Sequence, residues 1–149
     1  MQYLKFLMSV RIRHTGIVTL NLKKSLKFWK NIFGFKIVKD LNENGNTIDK
    51  VLGYKNIKVR TIKLKDQNNS LIELLYFKNS PKLKSNKIYP YSSGITHISI
   101  TVKNIDKLYK KLNKKIQFNS KPLFSKDGNV KMTYCRTPEG AFLELVEEL

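Results

Sequence analysis

The feature that most constrains the fold is a repeat built around the two histidines of the chain. His14 opens the stretch HTGIVTLN and His97 opens HISITVKN, and each alternates in the manner of a β-strand before it ends in asparagine. Further identities lie at equal distances from each histidine, the last of them 21 residues on: Ile17 and Ile100, Asn21 and Asn104, Lys24 and Lys107, Phe35 and Phe118. A duplication would place the two histidines at equivalent positions in two copies of one folding unit.

Both halves predict the element order β-α-β-β-β. Asn21 and Asn104 stand where a helix N-cap is expected, and apolar residues recur after each at helical spacing. Gly34 would stop the first helix, and Asn44-Gly45 predicts a turn. The strands predicted after the helices are FKIVKDL, KVRTIKLK and LIELLYF in the first half, with a weak additional strand NTIDKVL after FKIVKDL, and IQFNSKPLF, KMTYCRT and FLELVEEL in the second.

The last strand of each half carries a glutamate inside an apolar run. Glu73 lies in LIELLYF and Glu144 lies in FLELVEEL. An acidic side chain in a buried strand is costly unless it is paired or bound to a metal. Each unit therefore offers one histidine on its first strand and one glutamate on its last, and the small residues Gly16 and Ser99 leave room beside the histidines.

Two imidazoles and two carboxylates suit one divalent cation such as Zn²⁺, Ni²⁺, Co²⁺, Mn²⁺ or Fe²⁺. Such an ion polarises a carbonyl or enediolate, and a nearby glutamate can move a proton to or from the adjacent carbon. The hypothesis requires that the four side chains surround a single ion. The sequence leaves open whether the two units close around it within one chain or between two chains.

The net charge of +18 raises the question of nucleic-acid binding. Lysine outnumbers arginine 25 to 4, and the lysines are spread along the chain rather than gathered in one segment. Arginine is the better reader of base edges and phosphates, so a solvated surface is the better interpretation and nucleic acid is not an expected partner.

The single cysteine and the hydropathy predict a cytoplasmic protein. Cys135 cannot form an internal disulfide, which fits a reducing compartment, and in MTYCRT a lone cysteine is expected to be a packed apolar residue. No stretch approaches the 18 apolar residues that would span a membrane, so no membrane association is expected.

The stretches HTGIVTLNLKKSLKFWKNIFGFKIV, LIELLYF, GITHISITVKNIDKLYKKL and YCRTPEGAFLELVEEL resemble the vicinal oxygen chelate superfamily. It includes glyoxalase I, methylmalonyl-CoA epimerase, extradiol dioxygenases and bleomycin- and fosfomycin-resistance proteins. The resemblance implies an α+β glyoxalase-like fold in which two βαβββ modules form a cupped, barrel-like mixed sheet. It implies one domain over residues 11–149, with modules 11–78 and 94–149 joined by a linker at 79–93.

The superfamily's four metal-ligand positions fall on His14, Glu73, His97 and Glu144. By the same resemblance, the activity is that of a metal-dependent lyase or isomerase of the glyoxalase I or methylmalonyl-CoA epimerase type, with a small-molecule substrate. Glu144 or Glu73 would shuttle the proton, with Glu144 the preferred base. A homodimer is expected by analogy.

Substrate identity is less constrained. Val18 and Phe77 stand where bacterial-type glyoxalase I tends to carry glutathione-binding residues, which argues against glutathione. Val18, Leu75, Phe77 and Thr101 would line the pocket, which lacks an obvious charged anchor and so suggests a partly apolar substrate. Asp49 is a weak candidate for the second carboxylate of an epimerase.

Two of the four arginines, Arg60 and Arg136, lie within predicted strands. Arg60 and Arg136 are expected in salt bridges or on the surface rather than as anion clamps.

The alternative function is a non-catalytic resistance-type protein that sequesters a drug between modules. The complete set of four ligand-type residues argues against that alternative.

Overall fold

A computed structural model describes residues 11–79 and 87–149, so residues 80–86 of the predicted linker lie outside the described residues. The first module contains β1 (Thr15–Val18), α1 (Leu22–Leu26) with a π-helical continuation (Lys27–Ile32), β2 (Lys36–Asn44), α2 (Asn46–Leu52), β3 (Lys58–Lys65) and β4 (Leu71–Phe77). The second module contains β5 (His97–Thr101), α3 (Ile105–Leu112), β6 (Leu123–Phe124), β7 (Val130–Arg136) and β8 (Phe142–Glu148).

The two modules form two mixed sheets with the same strand order, β1-β4-β3-β2 and β5-β8-β7-β6. In each sheet the first strand pairs in parallel with the last, and the other neighbours are antiparallel. The α+β prediction with two repeated modules is confirmed, and the sheets are cupped rather than closed into a barrel. The repeat therefore extends from the sequence to the topology.

The first helix widens into a π-helix over its second half. The Asn21 side chain accepts a hydrogen bond from the Lys24 amide at 3.0 Å, as the capping prediction requires. Further on, the Phe33 amide donates to the Phe28 carbonyl, five residues back, at 3.2 Å. The consecutive aromatic residues Phe28 and Trp29 are both buried in this segment, which ends before Gly34 with its φ of +77°.

The second helix is capped differently from the prediction. Asn104 adopts a left-handed conformation with φ of 53°, and its side chain makes no capping hydrogen bond. The carboxylate of Glu147 on β8 instead accepts hydrogen bonds from the amides of Asn104 and Ile105, at 2.6 and 3.1 Å. A carboxylate at a helix N-terminus satisfies free amides and complements the helix dipole, so this cap is supplied by tertiary structure.

Of two predicted strands, NTIDKVL is wrong and IQFNSKPLF is shorter than predicted. NTIDKVL is helix α2, which ends at Gly53 in a left-handed conformation, and Asp49 within it accepts hydrogen bonds from the amides of Asn56 and Ile57, both at 2.8 Å. Those local bonds favour a helical turn and a tight exit over a strand. In IQFNSKPLF, the only strand residues are Leu123–Phe124, preceded by an isolated bridge between Phe118 and Cys135.

One hydrophobic core joins the two modules. Helix α1 packs on β4 and helix α3 packs on β8, so the inward faces of both sheets are covered by helices. The buried cluster comprises Phe28, Trp29, Phe35, Ile62, Leu64, Ile72, Leu74, Ile105, Leu112, Ile116, Cys135, Leu143 and Leu145. In the described ranges, the longest helices are too short and too polar to cross a membrane.

Candidate functional site

The first His–Glu pair lies on the open face of the first sheet. Glu73 alternates along β4 with the buried residues Ile72 and Leu74, so its side chain points away from the core. Its Cα partner on β1 is Gly16, two residues after His14. The Nε2 atom of His14 lies 3.6 Å from Oε1 of Glu73, and both side chains are largely covered. Parallel pairing of β1 with β4 thus brings the predicted histidine and glutamate together.

The second pair repeats this arrangement on the open face of the second sheet. Ser99 on β5 is the Cα partner of Glu144 on β8. The Nε2 atom of His97 lies 3.8 Å from Oε2 of Glu144, with the histidine side chain more exposed than His14. The Nδ1 atom of His97 lies 3.3 Å from the Thr96 hydroxyl. The duplication therefore holds at the level of side-chain geometry.

The residue across from each glutamate differs between the modules. Lys63 on β3 is the Cα partner of Glu73, and its Nζ lies 3.3 Å from Glu73 Oε2. Tyr134 on β7 is the Cα partner of Glu144, and its ring meets the His97 ring edge-on with centroids 5.4 Å apart. Burial raises the pKa of Tyr134, and the Glu144 carboxylate raises it further. One pair is thus flanked by a cation and the other by a phenol.

The sequence reasoning missed both flanking residues. In KVRTIKLK, Ile62 and Leu64 are fully buried, so period-2 alternation places Lys63 on the same face as the glutamate of the next strand. Tyr134 likewise lies between the buried residues Thr133 and Cys135. Its position opposite Glu144 follows only once the register of β7 and β8 is known. The signal for Lys63 was therefore present in the alternation, although antiparallel pairing was needed to select its partner.

The four candidate ligands do not meet around one point within the single chain. No three histidine, cysteine, aspartate or glutamate side chains among residues 11–79 and 87–149 are grouped closely enough to hold one metal ion. The two sheets are also not hydrogen-bonded to each other in these ranges. The structure brings His14 to Glu73 and His97 to Glu144, and it leaves the two pairs apart.

The chemistry of each pair fits half of a metal site. Each supplies one imidazole nitrogen and one carboxylate, which are ligand types that divalent transition metals accept. Neither histidine forms a hydrogen bond with its glutamate, since both distances exceed 3.5 Å. In addition, Nδ1 of His14 is buried with no hydrogen-bond partner among the described residues. The pairs are suitable donors that lack a common centre within one chain.

The predicted substrate-binding residues follow the same open faces. Val18 on β1 is the Cα partner of Leu75 on β4, two residues along the strands from the paired Gly16 and Glu73. The side chain of Val18 is 56% exposed. Phe77 ends β4 and is half-buried, while Thr101 ends β5 and is exposed. These positions are accessible to a ligand, which is what a role in substrate binding requires.

The remaining polar candidates have structural contacts. Arg60 forms a two-pronged ion pair with Asp40, at 2.9 and 2.7 Å, which holds the pKa of that carboxyl below its usual value. Arg136 donates to the carbonyls of Ile88 and Gly140 and lies over the ring of Phe142. The expectation that neither arginine is an anion clamp agrees with these contacts.

Asp49 and Cys135 also have structural contacts within the fold. The Asp49 carboxylate accepts hydrogen bonds from two amides of the loop after α2, so it is engaged in a local structural contact. Cys135 is fully buried, and burial raises the pKa of its thiol to about 12. A thiol with that pKa remains protonated at neutral pH and packs as an apolar residue, as expected.

Solved structures with this fold are numerous. A glyoxalase family protein from Bacillus cereus is 22% identical, with a TM-score of 0.86 and coverage of 99% of this chain and 99% of that chain. A glyoxalase family protein from Enterococcus faecalis is 22% identical, with a TM-score of 0.67 and coverage of 92% and 97%. The trypanothione-dependent glyoxalase I of Leishmania major is 22% identical, with a TM-score of 0.62 and coverage of 94% and 88%.

At these identities the likeness to solved structures concerns the fold. No curated protein matches the sequence at the significance required. The family comparison is more informative because it covers nearly the whole described chain, including both His–Glu pairs. The sequence model of the Glyoxalase/Bleomycin resistance protein/Dioxygenase superfamily matches residues 11–145, and the chain belongs to that superfamily.

Proposed function

We propose that the protein is a metal-dependent lyase or isomerase that moves a proton on the carbon next to a carbonyl of a small substrate. The observation that carries the proposal is the pair of equivalent His–Glu arrangements, at 3.6 and 3.8 Å, on open sheet faces. The residues that would hold the ion are His14, Glu73, His97 and Glu144. Members of the superfamily generally bind a divalent metal, which supports the same donor set.

The complete site would require two copies of the chain. The two pairs stay apart within one copy, so we propose a homodimer in which the first pair of one chain faces the second pair of the other. Exposed apolar side chains beside each pair support such a contact: Ile12 and Ile95, two residues before the histidines, are 91% and 85% exposed. These two side chains stand at equivalent positions of the two modules and would be covered in such a dimer.

Within that site, Glu144 is the preferred base. A bound divalent ion supplies a Lewis acid that stabilises negative charge on a carbonyl oxygen. Glu73 already has the Lys63 ammonium at 3.3 Å, so its carboxylate is engaged in an ion pair. No ion pair with a lysine or arginine involves Glu144 among the described residues. Glu144 would accept the proton from the substrate carbon and return it, while Val18, Phe77 and Thr101 line the substrate.

Metal analysis of protein purified without added metal tests the proposal. We expect a stoichiometric divalent ion, with the content at least about tenfold lower in His14→Ala and in His97→Ala, because each removes one ligand. Glu148→Gln is the matched control, since Glu148 is an exposed carboxylate on the same strand as Glu144. Metal content that survives both histidine variants would contradict the ligand assignment.

Activity and assembly are tested on the same preparations. Incubation with 2-oxo and acyl-thioester compounds in heavy water should incorporate deuterium next to the carbonyl when the protein holds metal. Sedimentation should give twice the chain mass of 17.4 kDa. A metal-bound protein that exchanges no substrate proton in such a screen would argue against the isomerase or lyase activity.

The second candidate function is a non-catalytic protein that sequesters a drug. One observation favours it: the Lys63 ammonium already occupies the neighbourhood of Glu73 where an ion would bind. Under this alternative, the purified protein would hold no metal and would bind a drug tightly between modules. The metal analysis therefore separates the two functions directly.

A further inference from the structure

Three charged residues lie side by side across the open face of the first sheet. Lys39 on β2 is the Cα partner of Lys63 on β3, and Lys63 is in turn the Cα partner of Glu73 on β4. Cα partners on antiparallel neighbours point to the same face, so the three side chains form one row across the strands. We call Lys39, Lys63 and Glu73 the charged row.

The charged row carries more positive than negative charge. Two lysines directly opposite one another repel, and a single carboxylate compensates only one of them. Lys63 is half-buried and holds Glu73 at 3.3 Å, whereas Lys39 is exposed and enters no ion pair among the described residues. The second module has no such row, because Tyr134 stands in the place of Lys63. The two modules therefore differ in charge beside their His–Glu pairs, and the lysines adjoin the first pair.

We propose that Lys63, assisted by Lys39, is an anion-binding subsite and that the substrate carries a carboxylate group. The proposal rests on the proposed function in one respect: a cation bound by Glu73 would take that carboxylate away from Lys63. The ammonium would then need a new partner on the same open face, and a substrate carboxylate matches it in charge and in hydrogen bonding. This assigns a charged anchor to a site that the sequence suggested was mainly apolar.

The experiment frees Lys63 without using any metal. In metal-free protein, Glu73→Gln keeps the shape of the side chain but removes its charge, so Lys63 becomes available. Oxalate is the probe, titrated by calorimetry, with amide chemical shifts around Lys63 to locate the bound ion. We expect Glu73→Gln to bind oxalate roughly tenfold more tightly than the wild-type protein, the size of one charge-assisted hydrogen bond.

Double variants then identify the residue responsible. Glu73→Gln with Lys63→Met should lose the gain, and Glu73→Gln with Lys63→Arg should keep it. Glu73→Gln with Lys65→Met is the matched control, because Lys65 lies on the same strand two residues away and bonds the Asn69 side chain. All variants have their folding checked by circular dichroism, and Glu73→Ala replaces Glu73→Gln if the latter fails to fold.

Oxalate binding that does not depend specifically on Lys63 would overturn the proposal. If Lys65→Met removes as much oxalate affinity as Lys63→Met, or if Lys63→Met removes none, the net charge of +18 attracts anions without a specific site. These titrations use no metal, so their failure is separate from failure of the metal analysis. Oxalate binding at Lys63 supports the subsite, and only the separate metal analysis of the wild-type protein can contradict the metal-dependent activity.

Discussion

The two His–Glu pairs are alike in their strands and different in their neighbours. In both modules, parallel pairing of the first and last strands brings a histidine close to a glutamate. On the adjacent strand, however, the first glutamate has Lys63 and the second has Tyr134. A repeated fold therefore repeats the positions of side chains, while the residue on the next strand sets the electrostatics of each pair. In the first pair the glutamate forms an ion pair with a lysine. In the second, Glu144 forms no ion pair with a lysine or arginine among the described residues.

The largest expected effect distinguishes the two glutamates in catalysis. Glu144→Gln should slow deuterium incorporation next to the substrate carbonyl by about 10²–10⁴-fold, the usual contribution of a general base. Glu73→Gln should slow it less at saturating metal, because the Glu73 carboxylate is already engaged by the Lys63 ammonium at 3.3 Å. The measurement is the exchange rate per bound metal ion, followed by proton NMR. A larger loss in Glu73→Gln would reverse the assignment of the base.

The next effect compares the helices that support the two pairs. Trp29 in the first module corresponds to Leu112 in the second, and both are buried. Trp29→Ala should lower the free energy of unfolding by about 3–5 kcal/mol, because it leaves a large cavity in the shared core. Leu112→Ala should cost less, since fewer buried atoms are removed. Urea denaturation measures both, and equal losses would show that the core around Trp29 collapses to fill the cavity.

A smaller effect compares the two helix caps. Glu147→Ala leaves the amides of Asn104 and Ile105 without their acceptor, and we expect a loss of roughly 1–2 kcal/mol in the free energy of unfolding. Asn21→Ala removes one capping bond to Lys24 and should cost about 1 kcal/mol or less. Thermal unfolding of the two variants checks the order. A greater loss from Asn21→Ala would show that the side-chain cap contributes more than the carboxylate.

The smallest effect concerns an ion pair of the first module away from its His–Glu pair. The hydrogen bonds from Arg60 lower the pKa of Asp40 in the folded protein, so this pair stabilises the fold above the unfolded pKa and loses its effect as pH falls through the folded one. More than a third of each side chain is exposed, so Arg60→Ala should cost below about 1 kcal/mol at neutral pH.

Denaturation at neutral pH and again in acid checks this prediction, with Lys24→Ala as the control for loss of one exposed positive charge. The difference between Arg60→Ala and the wild-type protein should disappear once Asp40 is protonated. A difference that persists in acid would mean that Arg60 stabilises the sheet by packing rather than by charge.

The sequence predicted most of the β-structure because local alternation was strong. KVRTIKLK and LIELLYF are strands over the full predicted lengths, β3 and β4. NTIDKVL failed because its few apolar residues fit both a strand and a short helix. The Asp49 side chain favours the helix because its carboxylate accepts hydrogen bonds from the backbone amides seven and eight residues further along the chain. Short segments of this kind are ambiguous without their tertiary partners.

The candidate site was predictable to the same degree. The two histidines and two glutamates could be selected because the duplication marked them twice, and each histidine does lie near its glutamate. Lys63 was missed because the identity of a cross-strand neighbour depends on register. The separation of the two pairs within one chain could not be inferred, since it depends on how two sheets are arranged around a shared core.

The sequence by itself determined the duplication, the strand faces and the identity of the paired residues, because period-2 alternation and repeat spacing are local properties of the chain. Only the tertiary structure decided that Glu147 caps the second helix, that Lys63 compensates Glu73, and that the two pairs lie apart. The physical reason is that these contacts join residues on different strands and helices, whose distances are fixed by strand register and core packing rather than by local preference.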